Sequence, residues 1–378
     1  MSGAVRQSEG YLVKTASYDL LHIDYLRPGT DGFLNRIKAA QPGADIFFHT
    51  MQTYDEPLDP SLLIGDAAYV DYVLAAYAKG RKWSELVVEM HDALVHCGDR
   101  PPFIGPYLKN RNIYLTGSCL NLRDQQIDLV NLSTDVQDRI CEDDGYRNYH
   151  LNGVGYQIYG HWLLDFLPRI FLAERHARSL GCKAHIFLPH PPKFALKLLD
   201  ILDVGCRFSY FPQQGPLWFD RIYAVPSVKL GLRYSSHFVG ETFARLKTHR
   251  TENLLGAERI LIARRKPPIA RNFAILEAAL KNLDFKVIYP EDYSIQDQIS
   301  IFKSARVVVG EDGSAMHNVG FCDAGAKVII TARSSRRNVW HVSVAQYAAV
   351  RLAYLASAVQ DDGYHIDIPA VLRLLEGP

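Results

Sequence analysis

The sequence predicts an α/β protein built on parallel strands, and three observations lead there. From Ala184 to Leu246 short apolar runs alternate with amphipathic helical stretches, the pattern of βαβ units. A second series of the same kind runs from Glu258 to Thr331. Within it, Ala305 to Ala332 (ARVVVGEDGSAMHNVGFCDAGAKVIITA) reads as strand, turn, helix and strand. Val307–Val309 form an apolar run of the kind a strand buried on both faces requires. Gly310 ends that run, Ala315 to Phe321 suit a short helix, Gly325 stops it, and Lys327 to Thr331 is apolar again. A turn at Gly310, Gly313 and Ser314 places backbone N–H groups and the positive end of a helix dipole beyond a strand. Such a place suits a phosphate, and a glycine there removes the Cβ that blocks close approach.

Length and composition bound the reading. The 378 residues are enough for two domains with sizeable cores. Hydrophobic content of 48% with 22% charge is ordinary for a soluble globular enzyme. A net charge of +1 gives no electrostatic footprint for nucleic acid. The six cysteines are scattered without a CxxC pair, as buried free thiols are. The first residues lack a secretory apolar core, and no run of 18 or more apolar residues exists. The expectation is a reducing, cytoplasmic location with no integral membrane span, peripheral association with the inner face of the cell membrane remaining open.

In chain order, residues 1–100 form an N-terminal extension. It has a strand near Ala44–His49 and, from Asp59-Pro60-Ser61 to about Cys97, helical spacing of Leu62, Tyr69, Val73, Ala76, Leu86, Met90 and Leu94. This extension is expected to be mostly helical. Pro101, Pro102 and Pro106 mark a linker, followed by short extended runs at 112–115, 120–122 and 127–132. Tyr156–Gly181 reads as a helix with His161, Asp165 and Arg169 at i, i+4 and i+8, and with Pro168 kinking or restarting it. Three such groups in an apolar segment are expensive to bury unless paired or used. One His and one Asp give too few ligands for a metal site. Strands follow at 184–188, 207–211 and 221–225, with helices at 194–202 and 234–246. The polar stretch Lys247–Asn253 separates the two βα series.

In the second series, strand Glu258–Ala263 is followed by Arg264, Arg265 and Lys266. Cationic side chains just beyond a strand end suit a diphosphate, because Arg makes paired hydrogen bonds to phosphate oxygens. Helix 275–283, strand 286–289 and a helix capped by Ser294 come next. Glu291 suits either a helix cap or a ribose hydroxyl. Helices at 342–349 and 369–375 flank a last strand at 351–355.

These residues resemble glycosyltransferase family 61. Gly160-His161-Trp162, Asp165 and Leu167-Pro168-Arg169 are similar to its HW–D–LPR helix. Ile262-Ala263-Arg264 is similar to its strand ending in Ser-Arg, and Asn272 stands where its Asn-Glu pair begins. Pro290-Glu291-Asp292-Tyr293-Ser294 with Gln298, Phe302 and Ala305 follows its PE-x-x-S…Q…F…A run. Gly310 to Asn318 resembles its G-x-H-G-A-x-L-x-N turn, with Phe321 and Gly325 in place. Three positions depart: Asp312 stands for His, Ser314 for Ala and Ala263 for Ser. Residues 1–100 lie outside the resemblance.

The resemblance implies the GT-B architecture, two Rossmann-like domains facing across a cleft. Residues 101–247 are then the acceptor domain and 248–378 the nucleotide-sugar donor domain. It implies an inverting, metal-independent transfer of sugar from a nucleotide sugar, with a UDP-sugar leading, to a hydroxyl of a glycan or lipid-linked glycan. Bacterial capsule, O-antigen or other surface polysaccharide synthesis is the expected setting. In that reaction a base takes the acceptor proton and the leaving charge is stabilised. Asp165 or His161 is the expected base and Asp312 the rival. Arg264, Arg265 and Lys266, the turn at Gly310, Gly313 and Ser314, and Glu291 and Asn318 are the expected donor-binding residues. No cofactor and no metal are expected. The alternative, motivated by Asp312, is a catalytically inactive GT-B-fold scaffold subunit of a polysaccharide-assembly complex.

Overall fold

The computed structural model describes residues 46–65, 67–78, 82–95, 139–143, 145–151, 153, 155–211, 217–230, 233–250, 256–265, 270–333, 339–357, 359–360 and 363–377. It also describes short strands at 6–7, 12–14, 19–22, 106–108 and 113–116. The expected runs at 120–122 and 127–132, Lys266 and the loop 334–338 lie outside the described residues. The chain divides into two compact units: Met1–Asp55 with Lys82–Leu230, and Glu56–Arg81 with Gly231–Pro378.

The first unit is built on a mixed sheet. Its parallel part runs Leu217–Ala224, Tyr146–His150, Lys183–Leu188 and Arg207–Tyr210 in spatial order. Numbered along the chain, that order is 4-1-2-3. The first two strands by sequence, Tyr146–His150 and Lys183–Leu188, are joined through Leu167–Ser179, whose Leu167, Ile170, Phe171 and Leu172 are buried. Fully burying each such side chain contributes roughly 1.5–3 kcal/mol. Strand Lys82–Val95 pairs antiparallel with Leu217–Ala224 and with Ile46–Asp55.

That strand corrects a sequence expectation. Lys82–Val95 was expected to be helical from the spacing of Leu86, Met90 and Leu94, yet it is extended. Among the described residues below 100, helix is confined to Pro60–Leu62 and Ala67–Ala78. The segment KWSELVVEMHDALV fits period two as well as period 3.6, and a strand partner on each side decides between them.

The second unit holds an all-parallel sheet in the order Lys286–Ile288, Arg259–Ile262, Val307–Glu311, Lys327–Arg333, Arg351–Ser357 and Leu63–Ile64. Leaving aside the edge pair from residues 63–64, the chain order is 2-1-3-4-5. Its centre is apolar on both faces, with Leu261, Val308, Val309, Val328, Ile329 and Ile330 buried. Helices Phe273–Lys281 and Ile368–Glu376 pack their apolar residues Leu276, Leu280 and Val371 into one core with this sheet.

In an open parallel sheet, the place where strand order reverses leaves a crevice at the carboxyl ends of two neighbouring strands, and ligands bind there. The reversal falls between Tyr146–His150 and Leu217–Ala224 in the first unit. In the second it falls between Arg259–Ile262 and Val307–Glu311. The expected site residues can be placed against these two points.

Candidate active site

In the first unit the helix after Tyr146–His150 is not regular. It begins as Tyr159–His161, widens to π-helical hydrogen bonding over Trp162–Phe166, and returns to an α-helix at Leu167–Ser179. The Leu167 N–H reaches back to the Trp162 carbonyl. Pro168 supplies a reason: it has no N–H, and its ring would press on the carbonyl four residues earlier, so the preceding turn opens. Such wide turns often mark functional sites.

The wide turn carries Asp165, which is buried. Its Oδ1 accepts from the Ser227 hydroxyl at 2.8 Å and the Val228 N–H at 2.9 Å. Its Oδ2 lies 3.5 Å from Arg169 Nη1, and Arg169 is only 1% exposed. The Arg169 Nε in turn donates to the Val225 carbonyl at 2.8 Å. Val225, Ser227 and Val228 follow strand Leu217–Ala224, so this pair ties the helix to the strand end at the reversal. His161 lies against Gly155, whose φ is +83°. A Cβ there would fall 2.4 Å from the imidazole, so the ring's position depends on that glycine. Burial pushes the His161 imidazole below its ordinary value, and the Asp165 carboxylate opposes that shift.

In the second unit, Arg264 follows strand Arg259–Ile262 and crosses to the neighbouring strand end. Its Nη2 donates to the Asp312 carbonyl at 2.6 Å and to the Glu311 carbonyl at 3.3 Å. Gly313 has extended backbone, φ 167°, which any residue can adopt. A Cβ there would sit 2.5 Å from Arg264 Nη2, so the glycine lets the guanidinium lie directly on the turn. Gly310 packs against Met316 and Ile262 in the same way. Ser314 opens a 3₁₀ helix, Ser314–Phe321, whose first N–H groups have no partner within the helix. The Asp312 side chain is buried with Oδ1 3.6 Å from His341 Nδ1, and His341 stacks on His317 with centroids 4.6 Å apart.

The remaining expected residues are placed differently. Asn318 is buried and donates to Gln298 Oε1 at 2.7 Å, while Gln298 donates to the Pro290 carbonyl at 2.8 Å. This joins the 3₁₀ helix to the turn at Pro290–Asp292. Arg265 is exposed, bonded to both Asp292 oxygens at 2.7 and 2.6 Å, with Glu291 3.3 Å away. Arg265 is therefore held chiefly by Asp292, with Glu291 beside it, on the exposed side of the turn.

Sequence reasoning missed the residues that hold these groups. Glu311 Oε1 accepts from the Ala270 N–H at 2.8 Å and from the Tyr364 hydroxyl. Burial first, and then the Glu311 bond, push the Tyr364 phenol up, so it stays a donor. Glu311 Oε2 lies 4.0 Å from Arg264 Nε. A carboxylate at the end of an apolar strand was the available signal for Glu311. Ser227 gave none.

No helix among the described residues is long and apolar enough to cross a membrane. The described residues hold no group of three or more His, Cys, Asp or Glu able to bind a metal ion. No curated protein matches the chain. The family model described as Glycosyltransferase 61 matches residues 159–329, a span that contains the His161 helix, Arg264 and the Gly313 turn. This is the family the motifs resemble, and the matched span carries residues from both reversal points.

Proposed function

We propose that the chain transfers a sugar from a nucleotide sugar, a UDP-sugar first, to a hydroxyl of a glycan acceptor with inversion and without a metal. Surface polysaccharide synthesis at the inner face of a bacterial membrane is the setting proposed. The observation that supports it most is Arg264 packed on the Gly313 turn at the strand reversal of the second unit. A guanidinium beside a glycine turn and a helix start is suited to a diphosphate leaving group. In this reading the two units are the acceptor and donor halves of a GT-B enzyme, and Arg264, Gly310, Gly313 and Ser314 hold the diphosphate. Asn318 keeps the turn in place.

His161 is the proposed base. Its lowered pKa leaves the imidazole neutral near neutral pH and able to take the acceptor proton. Asp165, whose oxygens are occupied by Ser227, Val228 and Arg169, acts as a positioning residue that stabilises the imidazolium once formed. Asp312 is buried against His341, and its proposed role is to hold the donor turn.

The test is release of free nucleotide and formation of glycoside from a panel of UDP-, GDP- and CMP-sugars. Arg264→Ala should raise the donor KM by at least tenfold. His161→Ala should lower kcat by a hundredfold or more with the donor KM little changed, in line with loss of a general base. A chain that binds nucleotide sugars but never transfers would be the scaffold subunit instead.

A further inference from the structure

Strand Tyr146–His150 is central in the parallel part of its sheet, with a neighbour on each side. Such strands are normally apolar on both faces. This one is not. The Tyr149 hydroxyl meets His176 Nδ1 at 2.7 Å, so Tyr149 faces the helix Leu167–Ser179. Alternation places Asn148 and His150 together on the other face. Both are buried, at 1% and 4% exposure. Among the described residues, Asn148 Nδ2 and both ring nitrogens of His150 have no hydrogen bond of ordinary geometry, the Phe187 backbone being the one polar group that acts on the ring from close by. Leaving a buried polar group without a partner costs about 1–3 kcal/mol.

His150 is the last residue of its strand, at the strand reversal. Its ring stands edge-on to Phe211, with centroids 5.4 Å apart. Burial first, and the Arg169 charge second, push the imidazole down to about 3 against a smaller opposing effect of the Phe187 backbone, so it is neutral in the working range. A neutral imidazole offers one N–H donor and one lone pair. Arg169, the nearby cation, is already engaged by Asp165 and the Val225 carbonyl. The place therefore offers neutral donors and an acceptor with no spare charge. That composition suits a sugar hydroxyl, itself both donor and acceptor, and does not suit a phosphate.

We infer that His150, with Asn148 behind it, binds a hydroxyl of the uncharged sugar acceptor at the strand reversal of the first unit. The inference rests on the transferase reading and extends it to the acceptor. With the ring so little exposed, one hydroxyl enters beside it and the sugar face does not stack on it. The rival occupant is a permanent water bridging Asn148 and His150, which needs only polar partners and room.

The experiment uses the full chain with ¹⁵N-labelled histidine and a panel of p-nitrophenyl glycosides of neutral hexoses and pentoses, with no donor present. At least one glycoside should move the His150 ring signals. His150→Phe should not lower the melting temperature, because an apolar ring replaces unpartnered polar atoms. It should weaken binding of that glycoside at least tenfold, and His150→Gln should recover part of the loss. The inference is overturned if no glycoside moves the ring signals, as a permanent water predicts, or if His150→Phe binds as tightly as the original chain. Because no donor is used, a chain that shifts these signals but transfers nothing would sink the transferase reading alone.

Discussion

The two strand reversals lie in sheets of different strand order and solve opposite problems. In the second unit the centre of the sheet is apolar, and the polar groups of the site stand at the strand ends: Arg264, Glu311 and the Gly313 turn. Charge is concentrated at the rim, where the Arg264 guanidinium leans on backbone carbonyls. In the first unit polar groups enter the sheet itself, at Asn148 and His150, and the charged pair Asp165–Arg169 is buried and satisfied. A rim of cation and backbone suits an anion that arrives and leaves. An interior of neutral polar groups suits selection of a hydroxyl by its geometry. Topology sets where a ligand can sit, and the polarity at each strand end sets which one.

The sharpest way to break this comparison is Asp165→Ala. If the pair is a buried brace, its loss leaves Arg169 charged and unpartnered and frees Ser227 and Val228. We expect about 3–5 kcal/mol of destabilisation, read as a lower urea midpoint. A change under about 1 kcal/mol would mean that Asp165 braces nothing.

Acid should come next. Burial holds His150 down to about 3 and His176 down to about 4. An unfolded histidine titrates near 6.5, so below that pH the unfolded chain binds protons that the folded chain refuses. Stability should therefore fall as pH drops from about 6.5 toward those lowered values. Burial works against the Glu89 carboxylate, but bonds from His91 and His49 hold it low, which adds a loss in the same direction at lower pH still. For His150 alone the loss between pH 7 and pH 5 is about 2 kcal/mol. Urea midpoints measured across that range should fall, and less steeply in His150→Phe. Equal slopes would show that His150 is already charged in the fold.

The mildest expected effect on stability is Gly313→Ala. The backbone tolerates it, and the atom its Cβ would strike is the far end of a flexible side chain. The melting temperature should move by no more than a degree or two, about 0.5 kcal/mol. The donor KM should rise severalfold as Arg264 is pushed off the turn. An unchanged donor KM would mean that the turn and Arg264 do not act together.

These contrasts also explain what the sequence made legible. Val307–Gly310 and Lys327–Thr331 announce themselves, because burial on both faces demands apolar runs. The Ser294 cap was readable because its hydroxyl accepts from the Asp297 N–H within one turn. Tyr146–His150 was not read as a strand, because YRNYH has the composition of a loop and only its neighbours make it central. Lys82–Val95 satisfied two periods at once. The partners of the site residues were hidden by distance along the chain. Ser227 lies 62 positions from Asp165, and Tyr364 lies 53 from Glu311. Local sequence shows which side chains are costly to bury, while the groups that satisfy them are known only from the fold.

The widened turn at Trp162–Phe166 has a consequence for how the first reversal is aimed. Each residue of an ordinary helix advances about 100° around the axis. One extra residue within a single turn therefore acts as a phase shift between the two segments it joins. Upstream of it the chain presents His161, and downstream it presents Arg169. Removing one residue there would restore a regular spiral and swing His161 about a quarter turn relative to the Arg169 brace. Pro168 accounts for the irregularity, and the irregularity sets the angle between His161 and the Arg169 brace.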